Sequence, residues 1–329
     1  MRPDDSDAEA AISPDMAIVD THIHLWDMAG TDYFAPAYLS DIAMSGHRVV
    51  SSVHVECGMR FRKDGEASLR PVGETAFILE QVEASRGSDH DLAAGIVGWA
   101  DLLLGERVRR TLEAHLEVGR GRFRGVRFRA SWDADAEIAY IGPEYPTSAA
   151  VFDEPRLMQG VRCLANLGLC LDIWVFHHQL ADLTRFIARS PQLPIVINHV
   201  GGPVGLGRYA GRRHEVFAEW AAGLAPLAAF DNVFIKLDGV GIGRFGFGYG
   251  PGRRATSSDE LVGLWGPYVK TCIDLFGPER CMFASNVPVD RNAASLAVYV
   301  NAFKKMLRGH STSEQEAVFS ETARRVYRV

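Results

Sequence analysis

The chain has 329 residues, 47% of them hydrophobic, enough to bury a substantial core in one large domain or two ordinary ones. Lysine and arginine number 35 against 41 for aspartate and glutamate, a formal charge of -6, so the sequence offers no large positive field to hold a nucleic acid. The five cysteines are scattered with no close CxxC pair, which argues against a disulfide framework and a thiolate zinc site and fits a reducing compartment, the cytoplasm.

Residues 1–16 read as a flexible acidic tail without the apolar core of a signal peptide, and no run of about 18 apolar residues offers a membrane span. Residues 17–329 are expected to form a single domain. Its first strand lies in IVDTHIHLWD (18–27), where strict alternation sends Ile18, Asp20, His22 and His24 to one face and Val19, Thr21 and Ile23 to the other. Seven more apolar, β-branched segments follow: RVVSSVHVECG (48–58), DLAAGIVGWADL (91–102), GRFRGVRFRA (121–130), GLCLDIWVFH (168–177), LPIVINHV (193–200), DNVFIKLDGV (231–240) and RCMFASNVP (280–288). Most are separated by stretches with helical spacing of apolar groups, such as VGETAFILEQVEAS and LADLTRFIAR. Strand and helix alternating eight times is the pattern of an α/β protein of the parallel (β/α)8, or TIM-barrel, class. A doubly wound sheet is disfavoured, because no GxGxxG turn follows the first strand. The glycine-dense stretch 239–252 reads as a mobile loop after strand seven. Two additional C-terminal helices are expected to complete the outer ring and plug one barrel end, the last starting at a capping box of Ser313 and Glu316.

A barrel brings the carboxyl ends of its strands to one rim, so isolated polar residues acquire a common address. His22 and His24 end strand one, His54 and Glu56 strand two; Arg127 and Arg129 lie on strand four, and His177 and His178 follow strand five. His199 ends strand six, Lys236 and Asp238 end strand seven, and Asn286 and Asp290 flank the end of strand eight. Two imidazoles at i and i+2 on a strand project together and can share a divalent ion, with a third from strand five or six completing a zinc-like site. The aromatic residues Trp26, Trp132, Trp174, Phe245, Phe247 and Tyr249 are candidates to line or cover a pocket.

The stretches VDTHIHLWD, GVRFRA, HHQL, VINHVGGP and CMFASNVPVD together resemble the amidohydrolase superfamily, in particular its amidohydrolase-related lactonase branch. The resemblance implies a (β/α)8 barrel that hydrolyses a lactone or a related ester or amide, in many members through a divalent metal, with metal-free operation known in one lactonase type. It assigns metal ligation to His22, His24, His178 and His199. Relatives commonly carry an aspartate in a GSDxP segment at strand eight, where this chain has Asn286 in ASNVP, and an amide is neither a useful base nor a good ligand. Glu56, His199 and Asp290 are therefore the candidate catalytic residues. His54, Arg127, Arg129, His178, Lys236 and Asn286 are assigned to substrate, with Arg127 expected to hold a carboxylate through paired donors. The expected activity is metal-dependent, zinc being the expected ion, on a small organic acid or lactone bearing a carboxylate. The alternatives are a non-oxidative decarboxylase of an unsaturated or aromatic acid and a non-catalytic barrel that binds a small acid. No membrane partner is expected, and a homo-oligomer is left open.

Overall fold

Eight strands lie side by side in chain order in one parallel sheet: β1 (Ile18–Ile23), β2 (Val49–Val55), β3 (Asp91–Gly98), β4 (Phe123–Arg129), β5 (Cys170–Trp174), β6 (Ile195–Ile197), β7 (Val233–Lys236) and β8 (Cys281–Met282). The seam between first and last is closed by a parallel bridge from Ile23 to Val287, with His24 N donating to Val287 O at 2.8 Å. The sheet is thus the cylinder of a (β/α)8 barrel. This is a computed structural model, and it describes residues 9–28, 31–139, 148–250, 253–255 and 257–329.

Helices connect the strands: α1 (Ala35–Ser45), α2 (Val72–Ala84), α3 (Arg109–Val118), α4 (Pro155–Asn166), α5 (Leu180–Ile187), α6 (Arg213–Leu224), α7 (Ser258–Phe276) and α8 (Leu296–Met306). Local chemistry starts several of them. Proline occupies the first turn of α1 and α4, where its missing N–H has no intrahelical acceptor to lose. Ser257 and Ser295 cap α7 and α8 by accepting from Glu260 N and Val298 N. The capping box of the C-terminal segment lies two residues earlier than expected: Ser311 and Glu314 cap α9 (Thr312–Glu316), because the chain turns helical at Thr312. A π-helical turn over Ala317–Glu321 then leads into α10 (Thr322–Tyr327).

Two apolar layers follow from the parallel strands, which must bury both faces. Ile18, Ile23, Val126, Phe128, Ile173, Ile195 and Ile235 pack outward against the helices. Val19, Val53, Val55, Val97, Cys170, Val196, Phe234 and Met282 face one another inside, and Ala323, Val326 and Tyr327 of α10 close that layer as the expected plug. Both Ile18 in the outer layer and Val19 in the inner one obey alternation, but the register of β1 against β2 shifts between Asp20 and Ile23. That irregularity reverses parity. Asp20 therefore leaves the face of the histidines and accepts from Tyr38 of α1 and from Ser285 N and Oγ beyond β8, stapling the barrel seam.

The tail expected to fray through residue 16 differs over its described part, residues 9–16. Glu9 accepts from Ser258 N and Oγ, Ile12 N donates to Asn301, and buried Lys304 donates to Ser13 O at 2.7 Å, because these groups cross α7 and α8 where partners are available. Among the described residues no helix is long and apolar enough to cross a membrane.

Candidate active site

The parity reversal in β1 directs His22 and His24 into the mouth, where their ring centroids are 4.8 Å apart. His199, just past β6, brings its ring to 4.7 Å from that of His22. Asp238, two residues past the end of β7, joins them: its carboxylate oxygens lie 3.1 Å from Nδ1 of both His22 and His199, and it accepts from His199 N at 3.0 Å. Beyond these 3.1 Å contacts with one another, His22 Nδ1, His199 Nδ1 and Asp238 Oδ2 are buried polar atoms without hydrogen-bond partners. One donor atom from each of these three residues lies within 4.8 Å of the other two. Buried polar atoms are normally satisfied, so three such atoms converging on one point are suited to a shared ligand. Two imidazoles and a carboxylate are also a donor set that suits a catalytic zinc with one coordination position left for water or substrate. These residues fit a divalent ion.

Burial holds the imidazoles of His22 and His24 well below the usual histidine range and lowers His199, so all three are neutral bases near pH 7. Burial alone would raise the Asp238 carboxyl, but the facing imidazoles of His199 and His22 more than reverse it and keep it ionised. His24 is anchored through Nδ1, which donates to Val55 O at 2.7 Å, fixes the tautomer and leaves Nε2 as the nitrogen with a lone pair to offer. Its ring stacks on Trp26, and Trp174 meets the His199 ring edge-on.

Glu56 stands beside this group with both arginines of β4. Arg127 Nε and Arg129 Nε donate to its Oε1 at 2.7 and 2.8 Å, and Arg129 Nη2 donates to Oε2 at 3.1 Å. Burial would raise this carboxyl, yet Arg127 and Arg129 hold it down at about 2. A group so weakly basic, with its lone pairs engaged, does not serve as the proton acceptor proposed for it from sequence. The same contacts place a protein carboxylate where Arg127 and Arg129 were expected to receive one from substrate. Arg127 Nη1 also donates to His22 Nε2 at 3.3 Å, linking the two groups.

Other expected members lie elsewhere. Val53 and Val55 take the inner face of β2, which turns His54 toward Glu74 of α2, its Nε2 3.5 Å from the carboxylate. His178 bonds the Trp132 carbonyl at 3.1 Å and lies 3.5 Å from Asp133, because the chain enters a helical turn at His177 and sets the ring against the loop that follows β4. Lys236 is fully buried in an ion pair with Asp172 at 2.8 Å, and Asp172 also accepts from Asn198 and from the plugging Tyr327. Asp290 is fully engaged as an acceptor of Gly239 N, Gly241 N, Asn286 Nδ2 and Tyr299 Oη, so it is no free base. Phe247 packs on Trp265 and Tyr268 of α7. The stretch expected to be a mobile loop is tied over 239–250 by the Asp290 contacts and by Gly205 N donating to Arg244 O; residues 251 and 252 lie outside the described residues. Asp238 received no role from sequence. Its signal was its position, two residues past a buried lysine at a strand end and next to a glycine.

The sequence profile of the amidohydrolase family matches residues 19–329. An uncharacterised protein of Sinorhizobium fredii, y4mH, is 31% identical over 96% of this chain and 99% of its own length. An L-fucono-1,5-lactonase of Burkholderia multivorans is 28% identical over 94% of this chain and 95% of its own. A crystal structure of an amidohydrolase from Burkholderia multivorans with bound zinc superimposes with a TM-score of 0.70 at 26% identity, covering 95% of this chain and 99% of that one. Family profile, barrel and histidine-rich mouth agree, and the chain is a hydrolase belonging to the amidohydrolase family.

Proposed function

We propose that the chain hydrolyses an uncharged, hydroxyl-bearing lactone with the help of a divalent ion, zinc by its donor set, held by His22, His199 and Asp238. The observation that carries this reading is the trio of buried donor atoms left without hydrogen bonds at the barrel mouth. The lactonase named among the relatives and the zinc in the related crystal structure support it. When bound, such an ion polarises a carbonyl and makes a water acidic enough to attack it.

The chain's own residues do the rest. His24, with its hydrogen committed to Val55 O, offers Nε2 to take a proton from water and return it to the departing ring oxygen. Arg127 can only donate, so His22 accepts on Nε2 in this geometry and carries its hydrogen on Nδ1, the nitrogen facing Asp238; as a ligand His22 would offer that nitrogen deprotonated, its proton released to solvent. Trp174 and Trp26 flank the imidazoles and offer apolar faces to a cyclic substrate. The bond network of Glu56 with Arg127 and Arg129 explains why the ring should lack a carboxylate: the guanidinium forks already have one. Five unpaired thiols suit a reducing compartment, the cytoplasm, and the closed sheet supports reading residues 17–329 as one barrel domain.

The test pairs metal analysis of the purified protein with turnover of neutral sugar lactones, carboxylated lactones and aromatic acids. Hydrolysis of neutral lactones, lost on chelation and restored by zinc, is expected. Preference for carboxylated lactones would sink the substrate assignment. Release of carbon dioxide from an acid without lactone opening would sink the reaction.

A further inference from the structure

Asn286 stands at the end of strand eight, where the family resemblance led to the expectation of an aspartate, and the structure gives its amide a definite partner. It donates through Nδ2 to Asp290 at 2.9 Å. Asp290, almost fully buried, takes three more donors: Gly239 N at 2.8 Å, Gly241 N at 3.1 Å and Tyr299 Oη at 3.2 Å. These four donors come from the turn after β7, the end of β8 and helix α8. Each of its two oxygens is used twice as an acceptor.

Gly239 directly follows Asp238, so whatever fixes this turn also aims the carboxylate that faces His22 and His199. The fit is tight. A Cβ on Gly241 would lie 2.6 Å from Asp290 Cα, and one on Gly239, whose φ of 112° already favours glycine, would lie 3.0 Å from His199 Cβ. Bare backbone is therefore pressed between Asp290 on one side and His199 on the other. Asn286 itself holds a left-handed φ of 49°, which asparagine tolerates better than most residues.

We propose that Asp290 and Asn286 are a positioning pair: the carboxylate gathers the 239–241 turn and so aims Asp238, and the amide at 286 is needed as a donor. Asn286 is then not the remnant of a lost base. An aspartate there would set two carboxylates against each other in a buried site, and one would have to take up a proton or turn away. Asparagine at 290 would present an NH2 group or a single acceptor oxygen to two backbone N–H groups and a tyrosine. Neither residue touches reacting atoms. The expected loss of turnover rests on the proposed hydrolase reading; the geometric claim does not.

Four variants test the pair: Asp290→Asn, Asn286→Asp, the exchange Asn286→Asp with Asp290→Asn, and Tyr299→Phe. Protein labelled with 15N-histidine reports the environment of His22 and His199 without reference to activity, and steady-state lactone hydrolysis reports kcat and KM. The single substitutions at 290 and 286 should shift the imidazole signals of His22 and His199 and lower kcat about tenfold or more, with KM within about threefold. The exchange should recover part of both, because it restores one amide facing one carboxylate. Tyr299→Phe removes a single donor away from the mouth and should shift the same signals less, which keeps the test alive if Asp290→Asn does not fold. Unchanged imidazole signals in the folded variants would overturn the pair, as would an Asn286→Asp enzyme faster than the parent. Absence of lactone turnover in the unsubstituted protein would overturn only the functional reading, since the imidazole spectra still decide the geometry.

Discussion

Two buried polar groups sit inside this barrel and behave in opposite ways. Nearer the plug, Asp172 receives Lys236, Asn198 and Tyr327 within hydrogen-bond distance, and the carboxylate is satisfied from three directions. At the mouth, Asp238 lies at 3.1 Å from two imidazoles and leaves three polar atoms without partners. The two carboxylates are equally buried, and Lys236 and Asp238 are two residues apart in the chain. A completed network rigidifies a core, whereas an incomplete one is costly and persists where a ligand completes it. Satisfaction, not burial or charge, separates the structural group from the functional one.

The sharpest way to break that comparison is Asp238→Asn. It should lower kcat/KM by about 10³-fold, roughly 4 kcal/mol of transition-state stabilisation, while leaving the unfolding midpoint close to that of the parent. Steady-state kinetics, metal analysis and urea unfolding on the same preparation check this; activity within tenfold of the parent would erase the distinction between the two carboxylates. The mirror experiment is Lys236→Met, which strands Asp172. It should cost about 3–5 kcal/mol of stability, and adding Asp172→Leu should recover much of it, as expected for a buried pair. If Lys236→Met instead spares stability and abolishes turnover, the plug-side network is part of the chemistry.

Acid titration sharpens the comparison at another buried carboxylate, Glu56. Its folded-state value of about 2 lies below the ordinary 4.5, so the ionised form is favoured by folding. The sign follows: the contribution, about 3 kcal/mol, is fully present above pH 4.5 and is lost as pH falls toward 2. Glu56→Gln should flatten the acid limb of stability over that window, measured by urea unfolding as a function of pH; an unchanged slope would mean the two arginines do not hold the carboxylate as described. The smallest effect belongs to Tyr327→Phe, which removes one of several donors to Asp172 and should cost about 1 kcal/mol without altering KM. A larger loss would show that the plug depends on that hydroxyl more than on the packing of its ring.

The barrel was legible because each strand is a short apolar, β-branched run and each crossover has helical spacing; all eight expected segments contain an observed strand. The importance of His22, His24 and His199 was legible for the same reason, since strand ends in a barrel share one rim. Orientation was harder. Strict alternation would have left His22 on the face of Asp20, and a register shift in β1 separates them. His54 was assigned to substrate from its place at a strand end and His178 to metal and substrate from the family resemblance, whereas the facing of β2 sets His54 against Glu74 and the turn at His177 sets His178 against Trp132 and Asp133. Glu56 looked like a free base because the sequence does not show that two arginines from another strand meet it.

Composition and periodicity determined on their own that this chain closes into a parallel barrel and which residues crowd its rim, because apolar spacing dictates local structure and repeated local structure dictates topology. Only the tertiary structure decided which of those residues are left wanting a partner. Hydrogen bonding is settled over a few ångströms between segments far apart in the chain, and Asp238 acquires its place only when β1, β6 and β7 are brought together.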